Sequence, residues 1–290
     1  MRRYTNLSKF FCDSNCELDY KRFDELGIDC LIKMPYTVNG EESAYDLGRS
    51  GGSKEFFDKM RAGAAVKTQA LNQINYIDYF EPVLAGGDDI LYVTFTHKMS
   101  ATFESMKAAI EELKEKYPER KITWVDSKGI SMAAGIVVYY AAKLHSEGKS
   151  DEEVVAFVES FRDKVKTYFT VEDLVYLKRG GRLSSFKALM GTILNLKPII
   201  TIDDGALVSN EKANGRKKAL HTLIDKLSLD DVDTNYPIVI VDADSRADAA
   251  LVKDLVLEKY QGADVWNIDV GPVIGCHCGP GTVGIIFVKK

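Results

Sequence analysis

Near its end the chain reads Gly271-Pro-Val-Ile-Gly-Cys-His-Cys-Gly-Pro-Gly-Thr-Val-Gly-Ile-Ile-Phe287, an apolar run broken by glycines and carrying His277, one of four histidines in 290 residues. A histidine aimed from a Gly279-Pro280-Gly281 turn can hydrogen-bond or titrate at a polar ligand group. It can equally be a buried structural imidazole satisfied by a carbonyl. Hydroxyl-bearing residues form a second set. In an open α/β sheet ligands bind at the carboxyl ends of strands, where this sequence puts Asp13-Ser14, Thr96-His97 and Asp126-Ser127. Lys67-Thr68-Gln69 falls on a loop before a helix. Ser14 and Ser127 also suit helix N-caps, whereas Thr68 and Thr96 lead no clear capping box. A third set is Tyr176-Leu-Lys-Arg-Gly-Gly-Arg182. Its glycines read as a helix C-cap, and Lys178 and Arg179 suit the negative end of the helix dipole. Arg182 lies beyond the turn, where a guanidinium can grip a carboxylate or phosphate bidentately. Arg216, in Gly215-Arg-Lys-Lys-Ala219, is either part of a solvated first helical turn or a contact for an anion or partner.

Several chemistries fall away. Cys12, Cys16, Cys30, Cys276 and Cys278 are an odd set, read as free thiols. On a strand Cys276 and Cys278 face opposite to His277, so no metal site is expected. Gly48-Arg-Ser-Gly-Gly-Ser-Lys54 lacks P-loop spacing and a preceding strand. Gly279, Gly281 and Gly284 match a dinucleotide fingerprint in spacing alone, because the segment continues as a strand. No G-x-S-x-G nucleophile elbow occurs. A net charge of −5, a pI near 5.5 and the lack of a basic, aromatic-interleaved cluster argue against nucleic acid. The basic start lacks the apolar core of a signal peptide, and the longest apolar helix candidate, residues 132–144, is too short to cross a bilayer. A cytoplasmic protein is expected.

The elements that must position these residues alternate. Strands are predicted over 8–12, 28–38, 90–95 and 121–125, with a hairpin at Asn39-Gly40. Helices are predicted over 53–61, 71–80 and 100–116, and then from an Asp126-Ser127 cap through 142. Beyond the polar residues 146–150 come helices 152–167, 170–177 and 184–194, strands 197–202 and 206–209 joined through Asp203-Asp204-Gly205, helix 216–227, strand 238–242 and helix 246–260. Two glycine-rich strands close the chain. The fold class is α/β in two lobes: an N-terminal βαβ domain over 1–165 with a mainly parallel sheet, and a C-terminal α/β domain over 166–290 with a mixed sheet.

The order of segments is more specific than any one of them. Phe11-Cys-Asp-Ser-Asn-Cys-Glu-Leu18, Val66-Lys-Thr-Gln-Ala-Leu-Asn72, Phe95-Thr-His-Lys-Met-Ser-Ala-Thr-Phe103, Val125-Asp-Ser127, Asp173 to Arg182, Leu196-Lys-Pro-Ile-Ile200, Gly215-Arg-Lys-Lys-Ala219 and Gly271 to Gly281 resemble the successive signatures of the DegV family over nearly the whole chain. That resemblance implies a two-domain fold with one long-chain fatty acid in a tunnel between the lobes, and no cofactor. The best-understood members are fatty-acid-binding subunits of bacterial fatty acid kinase, linked to phospholipid metabolism. They perform no catalysis alone and present the acid to a separate ATP-dependent catalytic subunit that makes acyl phosphate, with transient membrane contact conceivable and no membrane span.

Residue by residue, the resemblance puts the ligand carboxylate at Thr68, Arg182 and His277, and at Thr96 and His97 in place of two serines. Ser100, Ser127, Gln69 and Gly279 are secondary candidates, and Arg216 falls on the residue associated with the kinase encounter. The sequence departs from the family pattern at Gln69-Ala70, at Thr96-His97 and at Ala101, which replaces a glycine. Met132, Ala133, Gly135, Ile136, Leu189, Ile193 and Leu194 are candidate tunnel walls that equally suit a core. The rival reading is a small-molecule hydrolase or transferase with His277 as general base and Thr68 or Ser127 orienting the substrate.

Overall fold

The computed structural model describes residues 7–181, 196–229 and 231–290. In chain order the strands are β1 (Lys9–Asp13), β2 (Cys30–Ile32), β3 (Pro35–Val38), β4 (Glu41–Ala44), β5 (Val66–Thr68), β6 (Ile90–Thr94), β7 (Ile122–Asp126), β8 (Val165–Thr170), β9 (Leu196–Asp203), β10 (Ala206–Asn214), β11 (Ile238–Asp242), β12 (Val265–Asp269) and β13 (Val283–Val288). The helices are α1 (Tyr20–Glu25), α2 (Lys54–Arg61), α3 (Gln73–Ala85), α4 (Thr102–Lys116), α5 (Met132–Ser146), α6 (Asp151–Phe161), α7 (Val175–Arg179), α8 (Arg216–Leu229), α9 (Arg246–Lys259) and α10 (Pro272–Cys278).

The first lobe is built on a parallel sheet in the order β2-β1-β6-β7, with a small antiparallel sheet β4-β3-β5 beside it. β6 is buried at all five positions, as a strand covered on both faces by helices must be. The second lobe carries a mixed sheet in the order β10-β9-β8-β13-β11-β12. Helix α5 is apolar all round and buries residues on every face between the two lobes. Among the described residues, no helix is long and apolar enough to cross a membrane.

Four local expectations give way to tertiary pairing. Residues 28–38 form two strands: Met34 N–H bonds the Ser14 hydroxyl at 2.9 Å, and Pro35, lacking a donor, starts a strand of the small sheet. The helix expected to run to 167 stops at Phe161. Val165–Thr170, rich in β-branched and aromatic residues, becomes an interior strand between β13 and β9. Asp126 and Ser127 cap no helix: they accept from Lys128 N–H and Gly129 N–H and shape the loop before α5. The first terminal strand is instead the helix α10, with Pro272 in its first turn, where a missing N–H costs nothing. The strands β5 and β12 and the helix α1 had no counterpart in the sequence reading, and Thr68, expected on a loop, ends β5 instead, where Tyr36 of β3 pairs with it. The expected helix 184–194 lies outside the described residues. Both predicted hairpins form, with the left-handed pairs Asn39-Gly40 and Asp204-Gly205 at their tips.

Candidate functional site

Between the parallel and mixed sheets lies a mainly apolar cavity with about 1010 Å³ of empty volume, including its mouth. Met34, Phe95 and Ile130 line it from the first lobe, and Phe169, Val241 and Ile286 from the second. Polar groups gather where β5 meets α10. There the Thr68 hydroxyl lies 2.9 Å from His277 Nε2, and Gln69 and Ser100 join them in the wall. Thr68, Ser100 and His277 are half-buried and Gln69 is exposed, so the polar end is also reachable from outside.

Two motifs that are far apart in sequence interlock to hold His277. A Cβ on Gly180 would stand 2.2 Å from His277 Nδ1, so the first glycine of Gly-Gly-Arg is the seat of the imidazole. Conversely, a Cβ on Gly279 would stand 2.2 Å from the Tyr176 ring, so the glycine after His277 is the seat of the tyrosine that opens the other motif. Gly271 and Gly275 meet the rings of Tyr45 and of Phe56 and Phe57 in the same way. Helix α10 is thereby gripped by aromatic rings, and the direction of His277 is set by packing.

Two buried carboxyls brace the cavity from behind. Asp13, at the end of β1, accepts from Asn15 N–H, Phe95 N–H and the Tyr92 hydroxyl at 2.9–3.1 Å, which places Asn15 and Phe95 in the cavity wall. Glu17 accepts from Gly271 N–H at 2.6 Å and from the Ser131 hydroxyl, tying the start of α10 to the start of α5. Burial pushes these carboxyls up to about 7 and about 8, against the downward pull of their donors. The sequence reading named Asp13 only as a post-strand residue and did not single out Glu17; the available signal was Asp13 ending the apolar run Phe10-Phe11-Cys12 and Glu17 set between Cys16 and Leu18. Burial also pushes the Cys276 and Cys278 thiols up to about 12, which leaves them protonated and poorly nucleophilic at neutral pH. Among the described residues no group of three or more His, Cys, Asp or Glu is placed to hold a metal ion.

Other named residues sit elsewhere. Thr96 is fully buried, but its hydroxyl donates to Gly205 O at 2.9 Å, across to the β9–β10 hairpin. His97 is exposed and paired with Asp126. Neither lines the cavity, because Thr96 points to the β9–β10 hairpin and His97 to Asp126; Ser127 and Gly279 do not line it either. With the Ser127 hydroxyl committed to Gly129 N–H, Ser127 is not placed to orient a substrate for His277. Met132, Ala133, Gly135 and Ile136 are core: Gly135 packs on the Cys16 carbonyl, where a Cβ would stand 2.4 Å away. Arg216 is largely buried, its guanidinium engaged by Asp248 and Gly281 O. Arg182, Leu189, Ile193 and Leu194 lie outside the described residues. Thr96→Val is expected to cost about 1–2 kcal/mol of stability by leaving the Gly205 carbonyl unpaired. Ligand affinity in Thr96→Val and His97→Ala should match the parent protein within twofold by titration, and a tenfold loss in either would return that residue to the site.

Comparison with known proteins places this architecture. A family model described as "Uncharacterised protein, DegV family" matches residues 9–290. A DegV domain-containing protein of Clostridium perfringens is 35% identical over 280 residues, covering 96% of each chain. A DegV family protein from Thermus thermophilus, described for its fatty acid binding, superposes with a TM-score of 0.83 at 27% identity, covering 97% of this chain and 99% of that one. DegV from Bacillus subtilis, described as a fatty acid binding protein, superposes with a TM-score of 0.82 at 26% identity, covering 98% and 99%. Matched from near its first described residue to its last, and over both lobes, the chain belongs to the DegV family.

Proposed function

We propose that this protein binds one long-chain fatty acid, with the carboxylate at Thr68, Ser100 and His277 and the tail along the apolar cavity. The observation that carries the reading is the hydroxyl–imidazole pair at the reachable end of a mainly apolar cavity. A carboxylate leaving water needs several donors, and hydroxyls with an imidazole supply them. Arg182 is assigned to the same carboxylate on the family resemblance. The tail gains about 0.8 kcal/mol per buried methylene, less the ordering of chain and walls. The relatives described as binding fatty acids support the same ligand class.

We further infer that the bound acid is presented, in the cytoplasm, to a separate kinase catalytic subunit for acyl-phosphate formation. The family resemblance supports this step, and so does the exposed Gln69 edge beside the carboxylate site. Arg216 serves it indirectly: by holding Gly281 O it steadies the turn after His277.

Protein purified without detergent and extracted with organic solvent should yield one acyl chain per chain by mass spectrometry. Thr68→Val and His277→Ala should each weaken fatty acid binding about tenfold or more with little change in melting temperature. Absence of any acyl chain, together with no binding of added oleic acid, overturns the reading. Acyl phosphate should form only when ATP and the kinase subunit are both added; turnover of a small ester or phosphate by the isolated chain would favour the hydrolase or transferase alternative.

A further inference from the structure

The cavity wall formed by the mixed sheet carries one cross-strand row whose chemistry is uneven. Leu207 on β10 pairs with Ile202 on β9, and Thr167 on β8 pairs with Ile286 on β13. The β8–β9 register, Tyr168 opposite Thr201 and Phe169 opposite Ile200, continues to put Thr167 opposite Ile202. All four residues line the cavity, and three of them are aliphatic. Thr167 is 8% exposed, and its hydroxyl oxygen has no hydrogen-bond partner among the described residues.

The other Ser and Thr side chains of the lining are engaged. Thr68 pairs with His277, Ser100 accepts from Thr102 N–H, and Thr102 donates to Leu71 O. Ser131 donates to Glu17, and Thr282 donates to Cys278 O. Thr167 therefore stands apart. A hydroxyl buried without a partner is disfavoured, whereas valine would fill the same wall with no polar atom to satisfy. Its position is also informative. Thr170 pairs with Val283, which follows the turn that ends α10, and Thr167 lies three residues from Thr170 along β8, roughly 10 Å at strand spacing. A group bonded there would lie along the tail of a ligand whose carboxylate is held at His277.

We propose that Thr167 recognises an oxygen substituent partway along the bound chain, so that the protein favours an acyl chain with a mid-chain hydroxyl over a plain saturated chain of equal length. This rests on the fatty acid reading given above. An alcohol can both donate to and accept from the Thr167 hydroxyl, and the aliphatic neighbours Ile202 and Ile286 hold the methylenes on either side.

The test is competition between stearic acid and positional hydroxystearic acids bearing the hydroxyl at carbons 7 to 12, using the full chain and Thr167→Val. In the parent protein at least one positional isomer should outcompete stearic acid, and Thr167→Val should lower that hydroxystearate-to-stearate ratio about tenfold while binding stearic acid at least as tightly. Thr167→Ser, which retains the hydroxyl, should keep the preference and serves if the valine variant fails to fold. Equal ratios in the parent and Thr167→Val at every hydroxyl position overturn the proposal while leaving the fatty acid reading intact. Failure of the parent to bind any of these acids overturns both.

Discussion

Gly279→Ala should destabilise the protein by about 2–6 kcal/mol and displace His277 from Thr68. Gly279 has φ 76 and ψ 166, a region open essentially to glycine alone, and forcing alanine into it costs about 1–3 kcal/mol. The added methyl would also overlap the Tyr176 ring, with its centre 2.2 Å from Cδ2, and relieving such overpacking costs about 1–3 kcal/mol more. Two neighbouring substitutions separate these effects. Gly181 has φ 71 but open space around it, so Gly181→Ala should cost only about 1–2 kcal/mol. Gly180 has an ordinary helical φ, yet its methyl would meet His277, so Gly180→Ala should act on ligand affinity more than on folding. Urea unfolding midpoints and fatty acid titrations of the three variants decide the matter. A Gly279→Ala protein no less stable than Gly181→Ala would show that Tyr176 moves aside freely and that the two motifs do not hold each other.

Stability should fall as pH rises from about 5 to 8. Burial raises the Asp13 and Glu17 carboxyls from ordinary values of 3.8 and 4.5 to about 7 and about 8. Between those limits the unfolded chain has released protons that the folded chain still holds, so the unfolded state binds fewer protons and the slope of unfolding free energy against pH is negative. At about 1.4 kcal/mol per pKa unit, each carboxyl withdraws on the order of 3–4 kcal/mol across the window. On the acid side the sign reverses below about pH 4, where the Asp204 carboxyl, held down to about 2 by its bonds to Lys98 and Lys128, becomes protonated only late. Chemical unfolding at intervals from pH 4.5 to 9 measures the slope, and Asp13→Asn should flatten it by about half. A stability that climbs through this range would mean that both carboxyls stay ionised in the fold.

Segments whose structure is set by their own side chains were legible. The hairpin tips Asn39-Gly40 and Asp204-Gly205 need left-handed backbone that these residues tolerate, and they form where expected. The helices α2 and α4 and the strand β6 follow from periodicity, because one face or the whole run must leave water. The motif order pointed to the family, and Thr68 and His277, 209 positions apart, do meet.

What failed to be legible depended on partners far away in the chain. Val165–Thr170 became a strand because β13 and β9 were there to pair with it, a fact its own six residues do not contain. Residues 272–278 form a helix packed against Tyr45, Phe56, Phe57 and Tyr176, rings that fit only against glycine backbone at 271, 275 and 279, and none of these rings is near it in the chain. Thr96 and Ser100, four residues apart, look alike as hydroxyl donors, yet one is spent on the carbonyl of Gly205 and the other lines the cavity.

The sequence by itself determined the α/β class, the turn chemistry and the set of polar residues available for a site, since each follows from local conformational preference and hydrophobic pattern. Only the tertiary structure decided which of those residues face one another, because a side chain's direction at the end of a strand is settled by the packing of elements that lie a hundred or more residues away.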